Sequence, residues 1–297
     1  METTISESPF AEVIVTQQSF GCRVRCVLNL PCLSRDGRVT GFAIEGTGAM
    51  DHLFGMGPFG PNQVQPVAIG IANLLAGLDE STGTSAIFWG TGDPDTVQQL
   101  GFRTSGQWRD YRVSRPKPSG TSHRLLPALR YFLDGRDAKN RPSANQTALT
   151  QSIYVFALWD VIDDYDDVNE FCRGVVGAID SGGRRDLRLI FVGIGAGFPQ
   201  RNQGEIQALA ALCSRMANPP ILSVVANDIS RVETSLRNAL WASIAVAKTG
   251  TVLDATRTEV RRFDTGVPGA FEFFLPSRSR SFWLNIDGRY IRYDLTT

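Results

Sequence analysis

The run from Val39 to Ile44 is the feature that most limits what this chain can become. It is short and mostly apolar. It leads directly into Glu45-Gly46-Thr47-Gly48-Ala49, then a Gly- and Pro-rich turn at 55–61, then helical spacing through Leu78. An apolar strand that opens through small residues into a helix is the first unit of a doubly wound α/β domain. In such a domain ligands bind beyond the carboxyl ends of the strands, where strand order reverses.

The pattern then alternates for most of the chain. Helices are expected at 62–78, near 94–100, and at 122–133, 204–216 and 229–247, with a further helix after the acidic turn 160–167 that ends at 181–183. Strands are expected at 84–90, 110–114 (an edge strand), 152–159, 187–193 and 221–226. Several of these strands are almost wholly apolar, as strands covered on both faces must be. The expected fold is thus a doubly wound, mainly parallel six-stranded sheet with right-handed crossovers. Residues 1–10 read as an arm. Residues 11–16, 22–30, 271–275, 281–286 and 289–295 are β-type, with Asp287-Gly288 as a hairpin signal. Both ends are therefore expected to meet in a small accessory β module. The boundaries are 1–36 and 249–297 for the module and 37–248 for the main domain.

Charge excludes one class of function. Thirty basic and 30 acidic residues leave no net charge, and the pI is about 6.7, which argues against nucleic acid or an anionic membrane as a bulk partner. No run reaches the ~18 apolar residues of a membrane span, and the N-terminus lacks a signal-peptide pattern. A cytoplasmic location is expected. The five cysteines (Cys22, Cys26, Cys32, Cys172 and Cys213) include no C-x-x-C pair, so they read as reduced, buried and small.

The polar candidates are few. Asp160 ends a buried strand, where it can ligate a cation or cap the following turn. Thr121 precedes a helix as an N-cap. Asp163, Asp164, Asp166 and Asp167 read as a solvated helix start, since their spacing does not fit a Ca²⁺ loop. Gly193-Ile-Gly-Ala-Gly197 lacks the G-x-G-x-x-G spacing of a dinucleotide site. His52 and His123 follow two of the candidate loops and can approach one crevice, but no Ser or Cys is placed as a nucleophile beside them. The arginines at 184, 185 and 188, at 257, 261, 262, 278 and 280, and in the stretch 112–117 read as solvated faces, with an acidic protein surface as their leading partner. Trp108, set among polar residues, is the expected exposed contact residue.

With these loops in this order, residues 37–248 resemble a von Willebrand factor A domain. That family carries D-x-S-x-S after its first strand, a Thr before a later helix and an Asp after its fourth strand. Here the matching stretches are Glu45-Gly-Thr-Gly-Ala49, Gly120-Thr121 and Trp159-Asp160. The resemblance implies a Rossmann-like fold and a metal-ion-dependent adhesion site, with Glu45, Thr47, Thr121 and Asp160 as ligands of Mg²⁺. Two departures weaken that site. Ala49 offers no oxygen, and Glu45 carries one methylene more than Asp, while Mg²⁺ demands oxygens near 2.1 Å in octahedral array. The function it implies is a non-catalytic protein-interaction module, with weakened or absent metal dependence, that docks a partner over Glu45, Thr47, Thr121, Asp160 and Trp108. Similarity to intracellular bacterial members associated with tellurium resistance or MoxR-type proteins implies an AAA+ ATPase, or another component of a stress or defence system, as partner. Two other readings compete: a nucleotide- or phosphate-handling enzyme, and a structural or assembly protein.

Overall fold

A computed structural model describes residues 10–29, 38–55, 60–135, 151–182, 186–216, 219–247, 249–264, 266–276, 279–286 and 288–295. Expectations for residues 1–9 of the N-terminal arm, 56–59 of the Gly- and Pro-rich turn, Cys32, Arg184, Arg185, Arg278 and Asp287 lie outside these residues. The chain forms two compact units, one of Met1–Ser34 with Asn238–Thr297, the other of Arg35–Arg237.

In order, the elements are β1 (Phe10–Gln18), β2 (Gly21–Leu28), β3 (Arg38–Glu45), α1 (Val64–Leu78), β4 (Gly83–Trp89), β5 (Gln98–Thr104), α2 (Ser105–Asp110) and α3 (Leu126–Leu133). They continue as β6 (Gln151–Leu158), α4 (Tyr165–Asp180), β7 (Asp186–Ile194), α5 (Gln200–Ala211), β8 (Ile221–Ala226) and α6 (Val232–Ser243). The last strands are β9 (Ala245–Ala247), β10 (Gly250–Asp254), β11 (Glu259–Phe263), β12 (Val267–Pro268), β13 (Ala270–Pro276), β14 (Ser281–Ile286) and β15 (Arg289–Asp294).

In the central unit one sheet runs β5-β4-β3-β6-β7-β8. The strands from β4 to β8 pair in parallel, but β5 is antiparallel to β4. The described strands of the other unit form three antiparallel sheets, ordered β1-β2-β13, β11-β10-β14-β15 and β12-β9. These findings correct the expected fold class. The central sheet is mixed, not the doubly wound parallel sheet of a Rossmann-like von Willebrand A domain. Among the described residues nine of the fifteen strands lie in antiparallel sheets, so the β part is no small accessory. The physical cause is strict alternation. β13 buries Phe271, Phe273 and Leu275 and exposes the residues between them, the signature of a sheet with one wet face. Its aromatic core joins Phe273 to Phe282 at 5.0 Å and Phe282 to Tyr293 at 5.4 Å between ring centres.

The edge of the central sheet also departs from expectation. Residues 98–104, read in part as helix, form β5, while 111–114 form no strand. Thr104 and Gln107 explain the first. They make a reciprocal capping box that stops β5 and starts α2. Asn62 and Gln65 explain the second. Asn62 Nδ2 and Gln65 Nε2 donate to the carbonyls of Val113 and Tyr111 at 2.8 Å each, and Gln65 Oε1 accepts from Val113 N at 2.6 Å. Side chains from the start of α1 thus take the backbone groups that a strand would have offered to a neighbour.

α3 also starts later than expected, at Leu126 in place of Ser122. The buried Asp164, just before α4, accepts from the backbone N–H groups of Leu125 and Leu126 at 2.8 and 3.0 Å. One of the four acids read as solvated therefore caps a helix distant in sequence. Below it a continuous core joins β6 and β7 to α3, α4 and α5. Phe132 stacks on Tyr154 at 4.7 Å and meets Phe156 edge-on at 6.1 Å. The four cysteines in the described residues are buried and free, and burial pushes the thiols of Cys26 and Cys172 up to about 12. No described helix is long and apolar enough to cross a membrane.

Replacing Phe132 with Ala is expected to cost about 3–5 kcal/mol, read as a lower urea midpoint at an unchanged slope.

Candidate functional site

The site is built where the central sheet changes direction. β4 lies on one side of β3 and β6 on the other, so the carboxyl ends of β3 and β6 diverge in their onward connections and leave backbone donors without a ladder partner. Glu45, the last residue of β3 and fully buried, fills that gap. Its Oε2 accepts from the N–H groups of Trp159 and Asp160 at 2.8 and 3.2 Å. Its Oε1 accepts from Thr47 Oγ1 and from His123 Nδ1, each at 2.9 Å.

Three loops are stitched together around this carboxylate. Thr47 bridges to Gly120, and Gly48 N donates to the Gly120 carbonyl at 2.8 Å. Gly120 N donates to Gly90 O at 3.1 Å, and Gly46 N to Trp89 O at 2.7 Å. Gly120 has to be glycine, since a Cβ there would lie 2.3 Å from Thr91 O and 2.5 Å from Gly90 O. Gly90 has φ +65, and its Cβ would approach Thr47 Cγ2 to 2.7 Å. Backbone can pack this closely only where side chains are absent.

The structure brings Glu45, Thr47 and the main chain of Asp160 together, and it places Gly120-Thr121 against the same loop. The side chains diverge. Glu45 and Thr47 are buried, whereas Thr121 is exposed and is no helix cap, since α3 begins at Leu126. Asp160 turns its Oδ1 to the N–H of Val161 at 2.8 Å. Trp108 is no exposed contact residue. It is fully buried, its ring 5.3 Å from Phe42 and its Nε1 3.3 Å from the Thr84 carbonyl. The polar residues around Trp108 reflect the short length of α2, which turns only one face inward.

These contacts also decide the metal reading. A carboxylate has about four acceptor positions, and Glu45 spends four on protein donors. Among the described residues no group of three His, Cys, Asp or Glu is placed to hold a metal ion. Glu45 therefore has no acceptor position left for Mg²⁺, and the adhesion-site reading rests on the sequence resemblance alone.

His123 is the site residue that sequence reasoning did not assign. Spacing offered only its position two residues beyond Thr121, because its partner lies 78 residues earlier in the chain. The hydrogen bond to Glu45 raises its pKa above the ordinary value; burial opposes this, and the charges of Glu45, Asp160 and Asp163 reinforce it.

Beside this latch a cleft of about 580 Å³ opens beyond the ends of β3, β6, β7 and β8. Met50 and Leu53 come from the first loop, Trp159 and Asp160 from the third, Ile194 from the end of β7, and Gly195 to Gly197, Pro199 and Asn227 to Ile229 from the loops after β7 and β8. Neither Glu45, Thr47 nor Thr121 lines it. The last two loops were missed because small residues such as Gly195-Ala196-Gly197 carry no chemistry of their own. A second hollow of about 660 Å³ adjoins it through Gln63, Asp228 and Ile229, and runs between the start of α1 and the start of α6.

Glu45→Ala, which strands two backbone donors and the half-buried His123, is expected to cost about 3–5 kcal/mol. Trp108→Ala is expected to cost a similar amount, about 3–5 kcal/mol, where an exposed contact residue would cost almost nothing. The His123–Glu45 pair sets a pH dependence. Because the folded pKa of His123 is raised, its contribution is complete below about pH 6.5 and is lost as pH climbs through the raised value. Thermal unfolding of the parent chain should therefore fall more steeply as pH rises above about 6.5 than that of His123→Gln.

No family model matches the chain, and no curated protein does. Among solved structures it is similar to the pilus adhesin SpaC from Lactobacillus rhamnosus GG, at 10% identity and a TM-score of 0.47, covering 95% of this chain and 47% of that one. It is also similar to proximal thread matrix protein 1 from the mussel byssus, at 12% identity and a TM-score of 0.45, covering 73% of this chain and 49% of that one. The chain thus spans about half the length of each.

Proposed function

We propose that the central unit is a non-catalytic protein-recognition module that docks a partner in the cleft at the carboxyl ends of β3, β6, β7 and β8. One observation carries the reading. The cleft is roomy and half apolar, yet the residues that line it include no Ser, Thr, Cys, Lys or Tyr. A phosphoryl-transfer site needs a cationic clamp on the transferred group, and no Lys or Arg lines the cleft. His52, the one imidazole in the lining, is exposed and engages the Ala49 carbonyl at 2.8 Å. Met50, Leu53, Ile194 and Ile229 supply apolar walls instead, the composition of a contact surface that desolvates an inserted side chain.

The loops are well suited to that task. Those that carry Met50 and Asp160 are fixed by the Glu45 latch, so this part of the cleft is formed before a partner arrives, and preorganisation lowers the entropic cost of binding. In this reading Asp160 is a rim contact, while Glu45, Thr47 and His123 position the rim from beneath. A partner of the AAA+ class remains an expectation of the resemblance only, and nothing in the cleft selects it.

A photo-crosslinking residue installed at Ala196 in the full chain should give a discrete protein adduct in the producing cell. The same residue at Glu170, exposed on α4, should give none. Adducts at neither position, or turnover of any small molecule that requires the cleft, would overturn the reading. Mg²⁺ or Mn²⁺ should leave the unfolding temperature unchanged, because ligand binding to the folded state alone would raise it.

A further inference from the structure

The cleft and the hollow beside it share Gln63, Asp228 and Ile229, and together they make one groove. Its charge is one-sided. Asp160, Asp228 and Glu233 line it in turn, and no Lys or Arg lines either part. This is unusual for a chain whose basic and acidic residues are equal in number. Asp160 commits one oxygen, Oδ1, to Val161 N, and its second oxygen has no hydrogen-bond partner among the described residues. Asp228 holds the turn after β8 by accepting from Ser230 N at 2.9 Å, and its carboxyl lies below the usual range because of that bond. It therefore stays ionised across the neutral range. Glu233 pairs with Arg237, one turn further along α6.

Between these carboxylates the walls are apolar or aromatic. Ile194 ends β7, Ile229 follows β8, and Trp159 contributes its indole. Arginine and lysine combine an apolar stem with a charged head, and an indole beside a carboxylate suits such a head. An anionic side chain would meet the carboxylates of Asp160 and Asp228 with no lining Lys or Arg to offset them.

We propose that the groove takes an extended partner segment that carries basic side chains. One arginine or lysine enters the cleft between Asp160 and Asp228, and a second reaches toward Glu233. This rests on the recognition reading above and names its ligand chemistry. The carboxylates at the ends of β6 and β8 stand two strand spacings apart, about 10 Å, within reach of alternate side chains of an extended peptide at about 7 Å plus their flexible stems. Charge complementarity of this kind sets partner choice and association rate, and it weakens with salt.

The test uses the full chain and two nine-residue peptides that alternate serine with arginine or with glutamate, followed by Trp159 emission and calorimetry. The arginine peptide should bind at least about tenfold more tightly than the glutamate peptide, less so at high salt. The Asp160→Asn, Asp228→Asn double variant should lose about tenfold or more, with its unfolding temperature unchanged because Asn keeps the oxygen that caps each turn. Gly197→Trp, at a position where an added Cβ meets nothing within 4 Å, should block the cleft and abolish binding. Three results overturn the proposal: equal or tighter binding of the glutamate peptide, arginine-peptide binding indifferent to the double variant, or binding of neither peptide. If the Ala196 crosslink forms in any of these cases, the recognition reading survives and only the basic occupant is lost. If it does not form, both fall.

Discussion

Everything at the functional end of the central unit depends on one buried carboxylate. Removing an ionised group from water costs several kcal/mol unless its acceptors are filled. Glu45 meets that condition with four donors drawn from three loops: Thr47, His123 and the backbone of Trp159 and Asp160. The arrangement works in both directions. The donors fill the acceptor positions of the buried carboxylate, and the carboxylate joins loops that the sheet leaves apart at the place where its strand order reverses. The extra methylene of glutamate relative to aspartate lets the carboxylate span from β3 to the end of β6.

That use of Glu45 explains why the recognisable surface lies to one side of it. With the carboxylate consumed internally, the loops after β3 and β4 and the segment before α3 close over one another, glycine against backbone at Gly90 and Gly120. Space remains on the flank toward β7 and β8, where Gly195 to Gly197 and the turn at Asp228 leave a hollow. Apolar walls with a carboxylate rim fall there, and the proposed ligand chemistry follows from that placement.

The antiparallel sheets of the other unit rest on different physics. β13 alternates buried and exposed residues, and an aromatic cluster around Phe273 and Phe282 supplies the core. Trp241 adds a buried anchor, its Nε1 donating to the Leu28 carbonyl at 2.7 Å. Here pairing joins chain segments far apart in sequence, as when β2 pairs with β13 from Val27–Ala270 to Gly21–Pro276.

Most element types could be read from residues alone. Apolar runs marked β3, β4, β6, β7 and β8, because a strand buried on both faces has no other composition, and helical spacing marked α1 and α4. Local chemistry at Thr104 and Gln107 also encoded the end of β5. Tertiary structure decided the rest. Asn62 and Gln65 took the backbone of 111–113 and so removed an expected strand, and Asp164 moved the start of α3. Burial made Trp108 a core residue, and the pairing of Glu45 with His123 turned expected metal ligands into a latch. The physical reason is common to all of them. Side-chain identity and spacing report local propensity, whereas the partner that satisfies a buried polar group is chosen by which distant segments the fold brings within 3 Å or so of it.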